Sequence, residues 1–255
     1  TWQAFDVGND PADHQRLGQV VDVLFADGGR VIDSSPMYGR AEQVVGGLLV
    51  DRQPKPPPFV ATKVWTRGRE DGVRQMKRSE ERLCRAQIDL MQVHNLLDWR
   101  AHLDTLRGWK VDGVIRYLGV THYATQALDD VVTLIETEAL DFIQIAYSAT
   151  VREAEQRLFP AAAAHGTAVI VNRPFEGGHV FRQIRQRPLP DWAEDLECES
   201  WAQIFLKYIV SHPVVTCVIP GTGNPEHMRD NVGGGKGVLP GARERKMIAD
   251  YMATL

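Results

Sequence analysis

The chain is predicted to be α/β, a closed (β/α)8 TIM barrel forming one domain over residues 1–255, on three observations. Short Val- and Ile-rich runs alternate with longer amphipathic stretches from end to end. Those runs are apolar at successive positions, as strands of a parallel sheet covered by helices on its faces must be. About eight such strand and helix units over roughly 250 residues is the size of a closed barrel, and the chain has 255 residues. An open doubly wound sheet is the structural rival. It usually carries G-x-G-x-x-G after its first strand, and no such run occurs here.

The elements follow in order. If there are eight strands, the first lies at or before "TWQAF", and the start without a Met leaves room for a segment upstream. From Pro11 to Asp27 a helix is expected: Leu17, Val20, Val21, Leu24 and Phe25 share one face, Asn9 or Asp10 is the N-cap, and Pro11 suits the first turn. The next strands are "RVIDSS", "FVATKV", "LMQVH", "RYLGVTH", "DFIQIAYS", "AVIVNRP" and "VVTCVIPGT". Helical spacing of Leu128, Val131, Val132 and Ile135, and of Trp201, Ile204, Phe205, Tyr208 and Ile209, places helices among the later strands. "RQPKPPPF" reads as a proline-rich surface loop. The stretch from Phe175 to Asp191 is long for a connection and follows a strand's C-terminal end, where barrels build active sites, so a mobile substrate or cofactor loop is expected there. Asn224 and Pro225 start a helix whose N-terminus suits an anion, with room left by Gly221 and Gly223.

Composition narrows the partners. Lys plus Arg number 29 against 33 Asp plus Glu, a net charge of -4, which gives no reason to expect nucleic acid or an anionic membrane. Cys84, Cys198 and Cys217 are odd in number and lack CxxC spacing, so neither a disulfide framework nor a zinc site is expected, and a reducing, cytoplasmic setting fits. "NVGGGKG" lacks Walker spacing and reads as a connection.

Three titratable residues interrupt apolar runs at their C-terminal edges: Asp33, Lys63 and His94. Neighbouring strand ends in a barrel bring them together, and Tyr38 follows Asp33 closely enough to fold over the same mouth. Each alone has an ordinary reading as a cap or a core residue. Together they are harder to dismiss, because a buried Lys63 needs a carboxylate and Asp33 on the adjacent strand supplies it. A phenol beside that ammonium should have its pKa lowered from about 10, which makes Tyr38 a candidate general acid. His94 would orient a carbonyl oxygen. There is no nucleophile with its base and no metal-ligand spacing. The set offers a proton to an oxygen that gains charge as hydride adds, and since side chains cannot supply hydride, a nicotinamide cofactor is implied.

At these residues, through "IDSSPMYGRAE", "ATKVW", "IDLMQVH", "IRYLGVTHY" and "DFIQIAYS" in order, the sequence resembles the aldo-keto reductase superfamily over nearly its whole length. The resemblance implies a (β/α)8 barrel that binds NADPH without a Rossmann motif, with NADH as second candidate. It makes Asp33, Tyr38, Lys63 and His94 the catalytic tetrad. It sets Thr121 and His122 where the family usually has Ser-Asn, and Gln144 on the family's glutamine. Asn172 falls where an aromatic ring commonly stacks on the nicotinamide, a role open to Phe175 or another loop ring, while Arg173 could reach the pyrophosphate. Gly221 and His227 stand where many members clamp the 2'-phosphate with Lys and Arg, whereas Thr222, Asp230 and Asn231 fit the pattern, so discrimination against NAD should be weak. Met37, Trp65 and Trp99, near strand ends, could line the substrate pocket, although packing is the ordinary role of such residues. The expected activity is reversible reduction of an aldehyde or ketone. The rivals are a cofactor-binding sensor on the same barrel and an isomerase or aldolase that uses Lys63 as a Schiff base.

Overall fold

The computed structural model describes residues 1–185 and 187–254. All seven strand runs form strands, and these stand in chain order in the sheet. The chain divides into two compact units, one of Thr1–Thr121, Leu140–Phe142 and Gly221–Met228, the other of His122–Ala139, Ile143–Pro220 and Arg229–Leu255.

In chain order the elements through the first unit are α1 (Pro11–Ala26), β1 (Val31–Asp33), α2 (Ala41–Arg52), β2 (Phe59–Val64), α3 (Arg69–Arg82), β3 (Ile88–His94), α4 (Trp99–Val111) and β4 (Ile115–His122). The choice of cap for α1 is resolved in favour of Asp10, whose carboxylate accepts from the Ala12 N–H at 2.9 Å. Leu17, Val20 and Val21 turn into the core as their spacing requires, while Leu24 and Phe25 are half-buried. β1 pairs β2, β2 pairs β3 and β3 pairs β4, all parallel. Nearly every residue of β2 and β3 is buried, the two-sided coverage expected of inner strands of a parallel sheet. α2 packs against α3 so closely that a Cβ on Gly46 would fall 2.1 Å from the Arg82 carbonyl oxygen.

The second unit continues with α5 (Leu128–Thr137), β5 (Phe142–Ala146), α6 (Leu158–His165), β6 (Ala168–Asn172), α7 (His179–Ile184), α8 (Trp192–Asp195), α9 (Trp201–Val210) and β7 (Val215–Val218), with α10 (Pro225–Gly233) and α11 (Ala242–Ala253) completing the chain. β6 and β7 are parallel neighbours. The faces read from spacing in α5 and α9 are the buried ones, apart from Leu128 at the edge.

Two expectations need correction. Residues Gln3–Phe5 form a 3-10 helix, so "TWQAF" supplies no first strand, and the sheet has seven strands among the described residues. The segment from Phe175 to Asp191 is not a bare loop: Glu176–Gly178 is a 3-10 turn and α7 follows, with Val180 and Ile184 buried at helical spacing and Phe181 against Phe175. Gln186 in that segment lies outside the described residues. The proline-rich run is a loop, as expected. Among the described residues no helix is long and apolar enough to cross a membrane.

Candidate active site

The parallel register of the first unit sets Asp33, Lys63 and His94 at the same end of β1, β2 and β3. Lys63 Nζ donates to Asp33 Oδ2 at 2.6 Å and to the Ser34 carbonyl at 2.6 Å, and its side chain has 0% exposure. Gln92, beside Lys63 in the β2–β3 register, donates to the other Asp33 oxygen at 3.3 Å. A carboxylate with both oxygens engaged, one by an ammonium, is how a buried ion pair becomes tolerable. An amine committed in this way has no free lone pair for a Schiff base.

Tyr38 comes from the loop between β1 and α2. Its backbone N–H donates to the Ser35 carbonyl at 3.0 Å and its own carbonyl accepts from Ala41 N at 3.0 Å. Gly39 adopts φ 58° and its missing side chain leaves room for the Asp6 carboxylate, which accepts from Arg40 N at 2.9 Å. The loop therefore presents Tyr38 in one orientation. Its ring centroid is 5.2 Å from Lys63 Nζ and 6.0 Å from the His94 ring, which it meets edge-on at 87°. Asp33, Tyr38, Lys63 and His94 are thus brought together.

The expected direction of the Tyr38 pKa is corrected. Burial raises it above the ordinary value, and this outweighs the Lys63 charge and hydrogen bond, which lower it, while Asp33 raises it further. The physical reason is that Lys63 does not act as a lone cation. With Asp33 at 2.6 Å, part of the Lys63 charge is opposed, and desolvation of the phenolate prevails. Tyr38 is accordingly a neutral phenol, a group that keeps a proton until an oxygen in contact with it becomes basic.

Around this group, the Trp65 ring is 6.5 Å from the His94 ring, and Trp65 and Met37 are 41% and 40% exposed. Trp99, at the start of α4, instead carries the Arg100 guanidinium 4.2 Å from its ring centroid. Thr121 lies opposite His94 in the β3–β4 register and is buried. Thr222 Oγ1 accepts from Asn224 N at 3.1 Å and Asn224 Oδ1 accepts from Glu226 N at 2.9 Å, so Asn224 caps α10 as its type and position imply. Gly221 and His227 are exposed at that end, and Arg16 of α1 donates to the Gly223 carbonyl.

In the second unit, His122 Nδ1 accepts from Ala124 N at 3.1 Å, the ring stacks on Tyr123 at 5.6 Å, and burial lowers its pKa. Gln144 is buried, and Asn172 Nδ2 reaches its Oε1 at 3.5 Å, while Asn172 Oδ1 is buried with no hydrogen-bond partner. The Arg173 guanidinium lies 5.7 Å from the Tyr123 ring centroid. Asn231 is buried, and Asp230 accepts from Ser200 Oγ at 2.7 Å and Gln203 Nε2 at 2.9 Å, so it braces the start of α9.

Sequence reasoning passed over Ser35, Gln92 and Asp6. Gln92 had a signal: with Leu90 and His94 it falls on one face of β3 at period two, a polar residue inside an apolar face. Ser35 and Asp6 act through a fold-dependent loop and carried none.

The model of the aldo/keto reductase family matches residues 1–241. The chain belongs to the aldo/keto reductase family. Among curated relatives it is 31% identical over 140 residues to the D-arabinose 1-dehydrogenase of Saccharomyces cerevisiae, a match covering 49% of this chain and 42% of that one. It is 26% identical to an aldo-keto reductase of Mycolicibacterium vanbaalenii over 239 residues, 89% of this chain and 78% of that one. Among solved structures, an aldo-keto reductase from Klebsiella pneumoniae in complex with NADPH superposes with a TM-score of 0.82 at 21% identity, covering 99% of this chain and 89% of the other. The holo form of an aldo-keto reductase from Bacillus halodurans gives 0.77 at 22%, covering 98% and 90%. At these identities the structures speak for the fold. Family membership makes the chain an oxidoreductase whose general chemistry is carbonyl reduction.

Proposed function

We propose that this chain, as a single domain, reduces an aldehyde or ketone to an alcohol with NADPH, reversibly, and that Tyr38 is the general acid. The observation that carries the reading is the neutral Tyr38 phenol held against the buried Lys63–Asp33 pair with the His94 ring edge-on to it.

NADPH, when bound, supplies the hydride that no side chain can. The donor set fits such a group: the buried Asn172 Oδ1 without a partner is an acceptor suited to an amide N–H, and buried orphan acceptors call for a ligand or water. The reading assigns Thr121, His122, Gln144, Asn172 and Arg173 to the nicotinamide and pyrophosphate, and Gly221, Thr222, His227, Asp230 and Asn231 to the adenosine end. His94 orients the carbonyl oxygen. As negative charge grows on that oxygen, the Tyr38 hydroxyl transfers its proton to it, and the phenolate then formed is stabilised by the buried Lys63 ammonium. Asp33 keeps Lys63 in place, and Met37, Trp65 and Trp99 are the proposed substrate wall. In the reverse direction the phenolate accepts the alcohol proton. The absence of a cationic side chain at positions 221 and 227, other than a titratable histidine, supports use of NADH as well.

The test is nicotinamide absorbance during incubation with a panel of aliphatic, aromatic and sugar aldehydes. Aldehyde-dependent oxidation of NADPH is expected. Tight NADPH binding with no turnover across the panel would contradict the reading.

A further inference from the structure

His94 must present a particular nitrogen as a donor if it is to orient a carbonyl oxygen, and neutral imidazole has two tautomers. Something in the protein has to select one. Ser35 is the residue whose side chain is hydrogen-bonded to Nδ1 of that ring. It sits on the loop after β1 with no exposed surface, and its Oγ is 3.1 Å from His94 Nδ1. Its carbonyl accepts the Tyr38 N–H, so one residue touches both the proposed acid and the proposed orienting group.

The direction of the Ser35–His94 hydrogen bond follows from what else the hydroxyl meets. A serine hydroxyl has one hydrogen to give and two lone pairs to receive with. Met37 N–H points at Ser35 Oγ at 3.4 Å, a long contact but a donor, so it can only take up a lone pair. Among the described residues, the acceptor that remains for the hydroxyl hydrogen is His94 Nδ1. Were Nδ1 protonated, the serine hydrogen would be buried with nowhere to go, which folded proteins avoid.

We propose that Ser35 is a positioning residue: its hydroxyl donates to Nδ1 of His94 and thereby fixes the tautomer that carries hydrogen on Nε2. The relevance of this to carbonyl reduction rests on the function proposed above; the tautomer itself does not.

The experiment is long-range nitrogen-15 NMR of the histidine side chains in the full chain without substrate, with His94→Gln used to assign the signals. The wild type should show an acceptor-type Nδ1 and a protonated Nε2 at His94. Ser35→Ala should mix the tautomers, and Ser35→Thr, which keeps the hydroxyl, should restore the wild-type pattern. A wild-type Nδ1 that is protonated, or a Ser35→Ala spectrum unchanged at His94, would overturn the proposal. In parallel, kcat/KM for an aldehyde should fall in Ser35→Ala and recover in Ser35→Thr. If the NMR changes as expected and turnover does not, Ser35 still sets the tautomer, and the role given to His94 in catalysis is what fails.

Discussion

Lys63 has no exposed side-chain surface and directs hydrogen bonds to Asp33 and to the Ser34 carbonyl. Its replacement tests whether the pair is a structural necessity as well as a chemical one. Lys63→Met leaves the Asp33 carboxylate buried without its cation, and the unfolding free energy should drop by about 3–5 kcal/mol in denaturant titration. Adding Asp33→Asn should recover part of that loss, since an amide needs no counter-ion. If the double variant is less stable than either single one, the two residues do not act as a pair. At this scale the sequence was most legible where chemistry forces a partner. A lysine inside an apolar strand implied a carboxylate, and Asp33 was the residue to supply it. The protonation of Tyr38 was not legible, because the sign depends on how deeply the ring is buried and on how far Asp33 cancels Lys63, both of which are distances in space.

The elements that carry the site differ in what they contribute. α1 begins at Asp10, whose carboxylate caps Ala12 N far from the tetrad in the chain, whereas Gly39 belongs to the turn that aims Tyr38. Asp10→Ala should lower stability by about 0.5–2 kcal/mol, with turnover per folded molecule unchanged. Gly39→Ala must place a Cβ at φ 58° against the Asp6 carboxylate, so it should cost about 1–2 kcal/mol and lower kcat as well by displacing Tyr38. Thermal unfolding together with active-site kinetics separates the two effects, and equal turnover in both variants would remove the turn from the mechanism. Strands were readable because parallel strands are covered on both faces and so are mostly apolar at successive positions, which made the few polar residues in β2 and β3 stand out. Helix α7 escaped notice because six residues give too few turns for a periodicity to stand out from a connection. A first strand at or before "TWQAF" was expected only by counting toward eight, and counting carries no local physics; Gln3–Phe5 is a 3-10 helix.

At the scale of the whole molecule, acid stability has a readable contribution from two half-buried histidines. His212 packs against Phe159 at 4.5 Å between ring centroids, and its pKa is lowered first by burial and then by Arg245, against an opposing effect of Glu155. His122 shifts in the same direction, also through burial. The unfolded chain takes up those protons near the ordinary histidine value of about 6.5 while the folded one resists, so the contribution is present above that pH and is lost as pH falls through the lower folded values. His212→Asn, which can still accept the Val214 N–H, should make the decline in unfolding free energy from about pH 7 to pH 5 shallower, and an unchanged slope would remove His212 as a cause.

The seven strands and the meeting of Asp33, Tyr38, Lys63 and His94 were legible in the sequence because strand ends in a parallel α/β fold are set by the runs that precede them. At the residues proposed for the adenosine end, residue type alone did not reveal that Asp230 accepts from Ser200 and Gln203 in the structure. The measurement that bears most directly on the central claim is aldehyde reduction by Tyr38→Phe under saturating NADPH, with NADPH affinity measured in the same preparation by fluorescence titration. Removing only the hydroxyl should abolish turnover and leave the affinity nearly intact; reduction at the wild-type rate would show that some other group delivers the proton.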